Sequence, residues 1–286
     1  MRRHWLIGGL SLLCLAGIWG GFAWHQHRLA ATATQPQATR TTQHDQATTN
    51  RAAAKPTTTT WHHLKHPLKL PILMYHSLST GNQLRVPPAQ FAREMAYLKR
   101  HHYRTLSAAE AVRALTTNSV PARHVVWITL DDAYRDNLTA GLPILQRDHL
   151  HATINVITGF THKSNHLTLA QMTKMATTNR VDFASHTVQH LDLDELSTSQ
   201  QRRELSASKT WLDTHLHQQT QVLCYPAGRA NATTRRLARQ AGYKVALTTN
   251  EGVAQLSQGR YNLARLRVTP GMSTATFATL LAVTNS

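Results

Sequence analysis

The chain reads as an α/β protein built on a parallel sheet, closed or nearly closed into a barrel. Three observations carry this reading. From Pro67 onward, strand-like and helix-like segments alternate about seven times. The strand-like runs are short, apolar and rich in β-branched residues, as strands buried on both faces require. Several of them end abruptly in polar residues, at the carboxyl ends where parallel α/β folds place their sites. A doubly wound open sheet is the alternative. Neither a Gly-rich dinucleotide fingerprint nor a phosphate-cradling loop follows the first strands, which counts against nucleotide binding.

Taken in order, 71–76 is a short apolar strand ending at His76. Residues 89–102 form a helix with Phe91, Met95 and Leu98 on one face. Residues 103–106 are a short extended piece, and Ser107 to Glu110 is a capping box opening the next helix. The run 124–130 is a buried strand that stops at Asp131 and Asp132. Residues 135–149 can be helical, with Pro143 kinking or delimiting the helix. Residues 151–158 are the next strand, and Thr168 to Gln171 caps a further helix. The strand 181–185 leads into His186. Ser197 to Gln200 opens a long helix with Leu205, Leu212 and Leu216 along one side. Residues 221–225 are a strand, and Asn231 caps a helix that Gly242 stops. Residues 243–248 and 263–268 are the last strands, and 273–283 the last helix.

Two segments precede this domain. Trp5 to Trp24 is an uncharged run of 20 residues, roughly 30 Å as a helix and long enough to cross a bilayer. Arg2 and Arg3 before it favour a cytoplasmic N-terminus, and the two tryptophans stand where interfacial aromatics belong. Residues 1–29 therefore read as a cytoplasmic tip and single-pass signal-anchor, with a cleaved signal peptide as the competing reading. Residues 30–60 contain no Val, Ile, Leu, Phe, Trp or Met. Such a stretch cannot order itself by burial. The segment 30–66 reads as an extracytoplasmic tether, and 67–286 as the folded domain. Secretion follows if the signal is cleaved.

The net charge is +17. It is spread along the chain, with no long basic block and no nucleic-acid-binding motif, so nucleic acid is not the expected partner. Membrane surface or anionic envelope polymers fit the charge better. Cys14 and Cys224 are the two cysteines, and a disulfide framework is excluded.

Four motifs sit at strand ends. Asp131 and Asp132 repel each other when ionised, which makes them poor choices for a core strand end unless something uses them. A solvated turn capping the next helix is the bland alternative. His186 and His190 are spaced i, i+4, and a helical turn would place both imidazoles on one face toward a single ion. With 19 histidines in the chain, two surface histidines are the competing reading. An Asp-His-His set leaves positions open for water and substrate. It suits Zn²⁺ first and also accepts Co²⁺, Ni²⁺ or Fe²⁺. Only one of two adjacent aspartates can easily face the ion, which leaves the other to act as a base. The turn at Tyr225-Pro226-Ala227-Gly228 could turn backbone N–H groups toward an oxyanion; an ordinary strand-ending turn is the alternative. His76, after Tyr75, could reach the same face and protonate a leaving group.

Together the motifs resemble the polysaccharide deacetylases, carbohydrate esterase family four. Thr129-Leu130-Asp131-Asp132 is similar to the family's Thr-Phe-Asp-Asp, His186-Thr187-Val188-Gln189-His190 to its His-Ser/Thr-x-x-His, and Tyr225-Pro226-Ala227-Gly228 to its Tyr-Pro-x-Gly turn. The resemblance implies a distorted (β/α)7 barrel and hydrolysis of N-acetyl groups on a glycan. It implies Asp131 as general base, Asp132, His186 and His190 as metal ligands, and the Tyr225 backbone N–H as an oxyanion donor. Tyr75, Pro226 and Gly228 are the accompanying substrate-binding candidates. The family's C-terminal Leu-x-His motif is absent; Leu263 to Arg267 stands there instead. Met74-Tyr75-His76-Ser77 is similar to the subgroup acting on poly-N-acetylglucosamine, whose motif order is circularly permuted, and this assigns the acid to His76. Arg265 is a candidate to orient Asp131. The expected partner is an N-acetylglucosamine polymer, poly-β-1,6-N-acetylglucosamine first and peptidoglycan second. A catalytically silent glycan-binding wall protein and an acetyl-ester deacetylase of the xylan type are the competing readings.

Overall fold

The computed structural model describes residues 59–282. The expected signal-anchor, most of the expected tether and Cys14 lie outside the described residues. Among the described residues no helix is long and apolar enough to cross a membrane.

Seven parallel strands form the barrel: β1 (Ile72–Tyr75), β2 (Val125–Leu130), β3 (Ala152–Val156), β4 (Val181–Ser185), β5 (Val222–Cys224), β6 (Val245–Glu251) and β7 (Leu263–Arg267). Neighbours in this order pair in parallel, and β7 closes onto β1 with Leu266 opposite Leu73. The closed alternative therefore holds over the open sheet. The β6–β7 register shifts between Leu247 and Glu251, and this irregularity distorts the ring. The short strand Arg104–Thr105 pairs beside the N-terminal half of β2.

Side chains alternate across each strand. Ile72, Trp127, Ala184, Val222, Cys224, Val245, Leu247 and Leu263 share one buried cluster. Their neighbours Leu73, Tyr75, Val126, Ile128, Leu130, Ile154 and Phe183 belong to another, packed under helices. The Trp127 indole N–H donates to Thr153 Oγ1 at 2.8 Å, so the largest buried side chain has its polar atom satisfied.

The helices are α1 (Pro88–Arg100), α2 (Ala108–Thr117), α3 (Leu142–Asp148), α4 (Leu169–Ala176), α5 (Thr198–His215), α6 (Ala232–Gln240) and α7 (Thr274–Leu280). Capping boxes at Ser107, Thr168 and Ser197 start α2, α4 and α5. Pro143 falls in the first turn of α3, where its missing N–H does no harm. A π-turn over Asn137–Gly141 precedes it in place of the continuous helix expected from residue 135.

The folded part begins earlier than residue 67. His62–His63 pairs antiparallel with Ser119–Val120, and the Arg113 guanidinium lies 4.1 Å over the Trp61 ring. Composition assigned this stretch to the tether because its apolar residues are few; Trp61 and Leu64 nonetheless pack on the second buried cluster.

Candidate active site

The alternation that builds the core also builds the site. The inward parity brings His76, Asp131 and His186, each one residue beyond the end of β1, β2 and β4, together with Asn155, Cys224 and Arg265 within β3, β5 and β7, toward the carboxyl end of the barrel. Asp131 and Arg265 are wholly or almost wholly buried, and they form a two-pronged pair. Arg265 Nη1 donates to Asp131 Oδ1 at 2.8 Å and Nη2 to Oδ2 at 2.7 Å. The guanidinium is itself fixed by Nε donating to the Thr248 carbonyl at 2.8 Å and Nη1 to Thr129 Oγ1 at 3.0 Å. Asn155 Nδ2 adds a third donor to Asp131 Oδ1 at 2.7 Å. Burial alone would raise the Asp131 pKa, but the charge and hydrogen bonds of Arg265 outweigh it and hold the carboxyl well below the usual range. His76 Nε2 lies 3.8 Å from Asp131 Oδ2. Burial pushes the His76 pKa down, against the pull of the two aspartates.

Asp132 turns the other way, with a left-handed φ of 74° that swings its carboxylate from Asp131 toward the histidines. Its Oδ1 lies 3.4 Å from His186 Nε2 and 3.6 Å from His190 Nε2. His186 Nδ1 donates to the Cys224 carbonyl at 2.7 Å, which turns Nε2 toward Asp132. Burial raises the Asp132 carboxyl, and the neighbouring His186 imidazole more than reverses it.

These three residues fit a divalent ion. Their ligand atoms lie within 4.8 Å of one another. Asp132 Oδ1 is buried without a hydrogen-bond partner among the described residues. An orphaned carboxylate oxygen between two imidazole nitrogens is an expensive arrangement unless a cation sits there. Asp131, His186 and Cys224 are also close enough together. That second set is the poorer one, because Arg265 and Asn155 already occupy the Asp131 carboxylate.

Three expectations need correction. The His186–His190 segment is a loop, not a helical turn; Thr187 and His190 take left-handed φ values of 66° and 57°, and the two rings meet edge to face at 4.8 Å. Tyr75 does not reach the cleft, because it falls on the outward parity of β1. Its ring packs against Phe91 and its hydroxyl donates to Glu94 Oε2 at 2.8 Å. The Tyr225 amide is not free for an oxyanion, since it donates to the Leu247 carbonyl at 3.0 Å. Its side chain is likewise outward, with the hydroxyl donating to the Tyr261 carbonyl at 3.1 Å. Among the described residues no acceptor takes the N–H of Ala227, two residues on and exposed.

Pro226 is buried and shapes the turn. Gly228 has φ 72°, and a Cβ there would lie 2.2 Å from Thr249 Oγ1. Its reason for being glycine is thus close backbone packing against β6.

Comparison with known proteins agrees with this geometry. The polysaccharide deacetylase family model matches residues 118–246. YxkH of Bacillus subtilis (strain 168), named as a candidate polysaccharide deacetylase, is 42% identical over 220 residues, 77% of this chain and 78% of its own. The chain belongs to the polysaccharide deacetylase family. This deacetylase is a hydrolase, and its solved relatives share the barrel. The Streptococcus pyogenes deacetylase PplD, solved with acetate, superposes with a TM-score of 0.73 at 38% identity, over 76% of this chain and all of that one. The poly-β-1,6-N-acetyl-D-glucosamine N-deacetylase of Staphylococcus epidermidis is 26% identical over 70% of this deacetylase and 75% of its own length.

The residue at the site that sequence reasoning missed is Asn155, which donates to Asp131 and sits on the inward parity of β3, a signal that was available.

Proposed function

We propose that the chain removes N-acetyl groups from an N-acetylglucosamine polymer outside the cytoplasmic membrane, releasing acetate and leaving a free amine. Poly-β-1,6-N-acetylglucosamine is the first substrate and peptidoglycan the second. The observation that carries the reading is the partition of the two adjacent aspartates: one is locked by Arg265, the other faces two imidazoles with an unpaired oxygen. Asp132, His186 and His190 would hold the divalent ion, Zn²⁺ first, with Co²⁺, Ni²⁺ or Fe²⁺ as substitutes. Such an ion supplies Lewis acidity, polarising an amide carbonyl and acidifying water.

The chain's own groups do the rest. Asp131 stays ionised and, held by Arg265 and Asn155, accepts the proton of the attacking water. His76, beside it, delivers a proton to the departing amine nitrogen. The exposed turn at Ala227 offers the oxyanion an N–H that the Tyr225 amide cannot. The relatives' names support the glycan, and the +17 charge suits an anionic envelope. The apolar run from Trp5 to Trp24 would anchor the chain with its barrel extracytoplasmic.

Acetate release from poly-β-1,6-N-acetylglucosamine, chitooligomers, peptidoglycan and acetylated xylan, compared in one series, tests the reading. Release from the first and its loss in Asp131→Asn and His76→Ala, by about 10²-fold or more, is expected. Release from xylan esters alone would replace the amide by an ester. Glycan binding without release by the wild type would leave a silent binding protein.

A further inference from the structure

We infer that Glu204 is the positioning residue of the two imidazoles, holding the loop between them so that both face Asp132; the inference rests on the metal reading above. Three residues separate His186 from His190, and the loop they form is not self-supporting. Thr187 and His190, both non-glycine, occupy the left-handed region. Residues in such conformations persist only where the surroundings over-determine them.

The surroundings here are specific. Glu204 on α5 is buried, and one of its oxygens, Oε2, accepts the Val188 N–H at 2.8 Å and the Gln189 N–H at 2.9 Å. Both amides belong to the interior of the loop. Among the described residues no cation forms an ion pair with Glu204. A glutamate in the middle of a polar helix is ordinarily exposed. This one is turned inward onto two backbone amides, an arrangement in which ionised acceptors make the strongest hydrogen bonds.

The opposite side of the loop is gripped by backbone. The Thr158 N–H donates to the Thr187 carbonyl at 3.0 Å, and the Gly159 N–H to the Val188 carbonyl at 2.9 Å. A Cβ on Gly159 would lie 2.5 Å from that Val188 oxygen, so the approach requires glycine. Within the loop Thr187 Oγ1 accepts the His190 N–H at 3.2 Å. Thr158 Oγ1 also donates to the Thr187 carbonyl at 3.4 Å, and Ser185 Oγ accepts the Thr187 N–H at 3.3 Å. Glu204 is the carboxylate in this grip, and a single one of its oxygens takes two amides of the loop. Removing it frees two amides and lets the left-handed residues relax, which carries His190 away from Asp132. Since outer partners of metal ligands tune affinity by about 10–100-fold, the loss belongs in metal binding before turnover.

The test is Zn²⁺ affinity of the full-length, chelator-stripped protein, by competition with a chromophoric chelator, with the visible spectrum of the Co²⁺ form alongside. The wild type is expected to show one site that His190→Ala removes. Glu204→Ala should bind Zn²⁺ about 10–100-fold more weakly, with an altered Co²⁺ spectrum, and regain turnover at saturating metal. Glu204→Gln keeps a carbonyl acceptor without the charge and should lose about fivefold. Wild-type affinity in Glu204→Ala would overturn the inference while leaving the metal reading intact. If Glu204→Ala does not fold, wild-type affinity and spectrum in Glu204→Gln overturn it instead. A wild type with no site that His190→Ala removes would overturn the metal reading and the inference with it.

Discussion

Asp131 and Arg265 show how a buried charge pair can serve both the fold and the chemistry. The pair makes two direct hydrogen bonds and is shielded from water. Breaking such a pair by removing one partner costs about 3–5 kcal/mol, because the other charge is left buried and unpaired. Arg265→Gln is therefore expected to lower the stability by that order and to abolish acetate release, as thermal melts and turnover would show. A stable and active Arg265→Gln protein would mean that the guanidinium neither orients Asp131 nor sets its ionisation. Each of the two aspartates, the two histidines and His76 had an ordinary reading when taken alone; their joint placement at the ends of apolar strands, and the family resemblance, made them candidates. The sequence showed Arg265 only as a candidate. The absent Leu-x-His motif marked the region without saying that the basic side chain would turn inward under Asp131. Tyr75 was misplaced because motif adjacency was weighed above strand parity: it neighbours the inward His76 and so points outward. The Tyr225 amide was placed at the oxyanion by its motif alone, whereas the parallel pairing of β5 with β6 takes it up on the Leu247 carbonyl.

Elements were legible wherever their signals were local. Capping boxes, helical spacing and Gly or Pro stops located the helices to within a few residues, and Pro143 marked the start of α3. The loop between His186 and His190 was not legible, because its shape comes from α5 and from the segment after β3, both distant in sequence. A further device lies between β1 and α1. Burial raises the Glu94 carboxyl to about 7, against the hydrogen bonds from Gln90 and Tyr75, which lower it. The folded chain thus keeps a proton there up to about pH 7, whereas the unfolded chain releases it near 4.5. The group's stabilising effect is complete below pH 4.5 and declines as the pH rises to 7. By pH 8 the decline is on the order of 3 kcal/mol. Glu94→Gln should remove this component, so that the stability difference between wild type and variant changes by that order from pH 4.5 to 8 in denaturant titrations. A pH-independent difference would show that Glu94 titrates normally.

The molecule joins a parallel barrel to an N-terminal stretch of different composition. The alternation of apolar runs indicated a parallel sheet but left an open doubly wound sheet as the alternative; the β7–β1 pairing decides for the closed barrel. The irregular seam between β6 and β7 was not legible, since a register shift has no sequence signal of its own. The proposed anchor would hold the barrel near its polymer and near the acidic envelope that its charge suits. Detection of a mature N-terminus near residue 34 in the native protein would replace the anchor by a cleaved signal. Product amines would add positive charge to a surface the basic chain must still approach, so turnover on polymer should weaken with salt and with the extent of deacetylation. The proposed hydrolysis depends on the Asp132, His186 and His190 set holding an ion. The most direct measurement is acetate release by chelator-stripped protein as Zn²⁺ or Co²⁺ is added, for the wild type and for Asp132→Asn. Activity that rises to a plateau at one equivalent of metal in the wild type, and no response in the variant, is the expected result. Full activity in the stripped wild type, or a response in Asp132→Asn equal to it, would contradict the metal site.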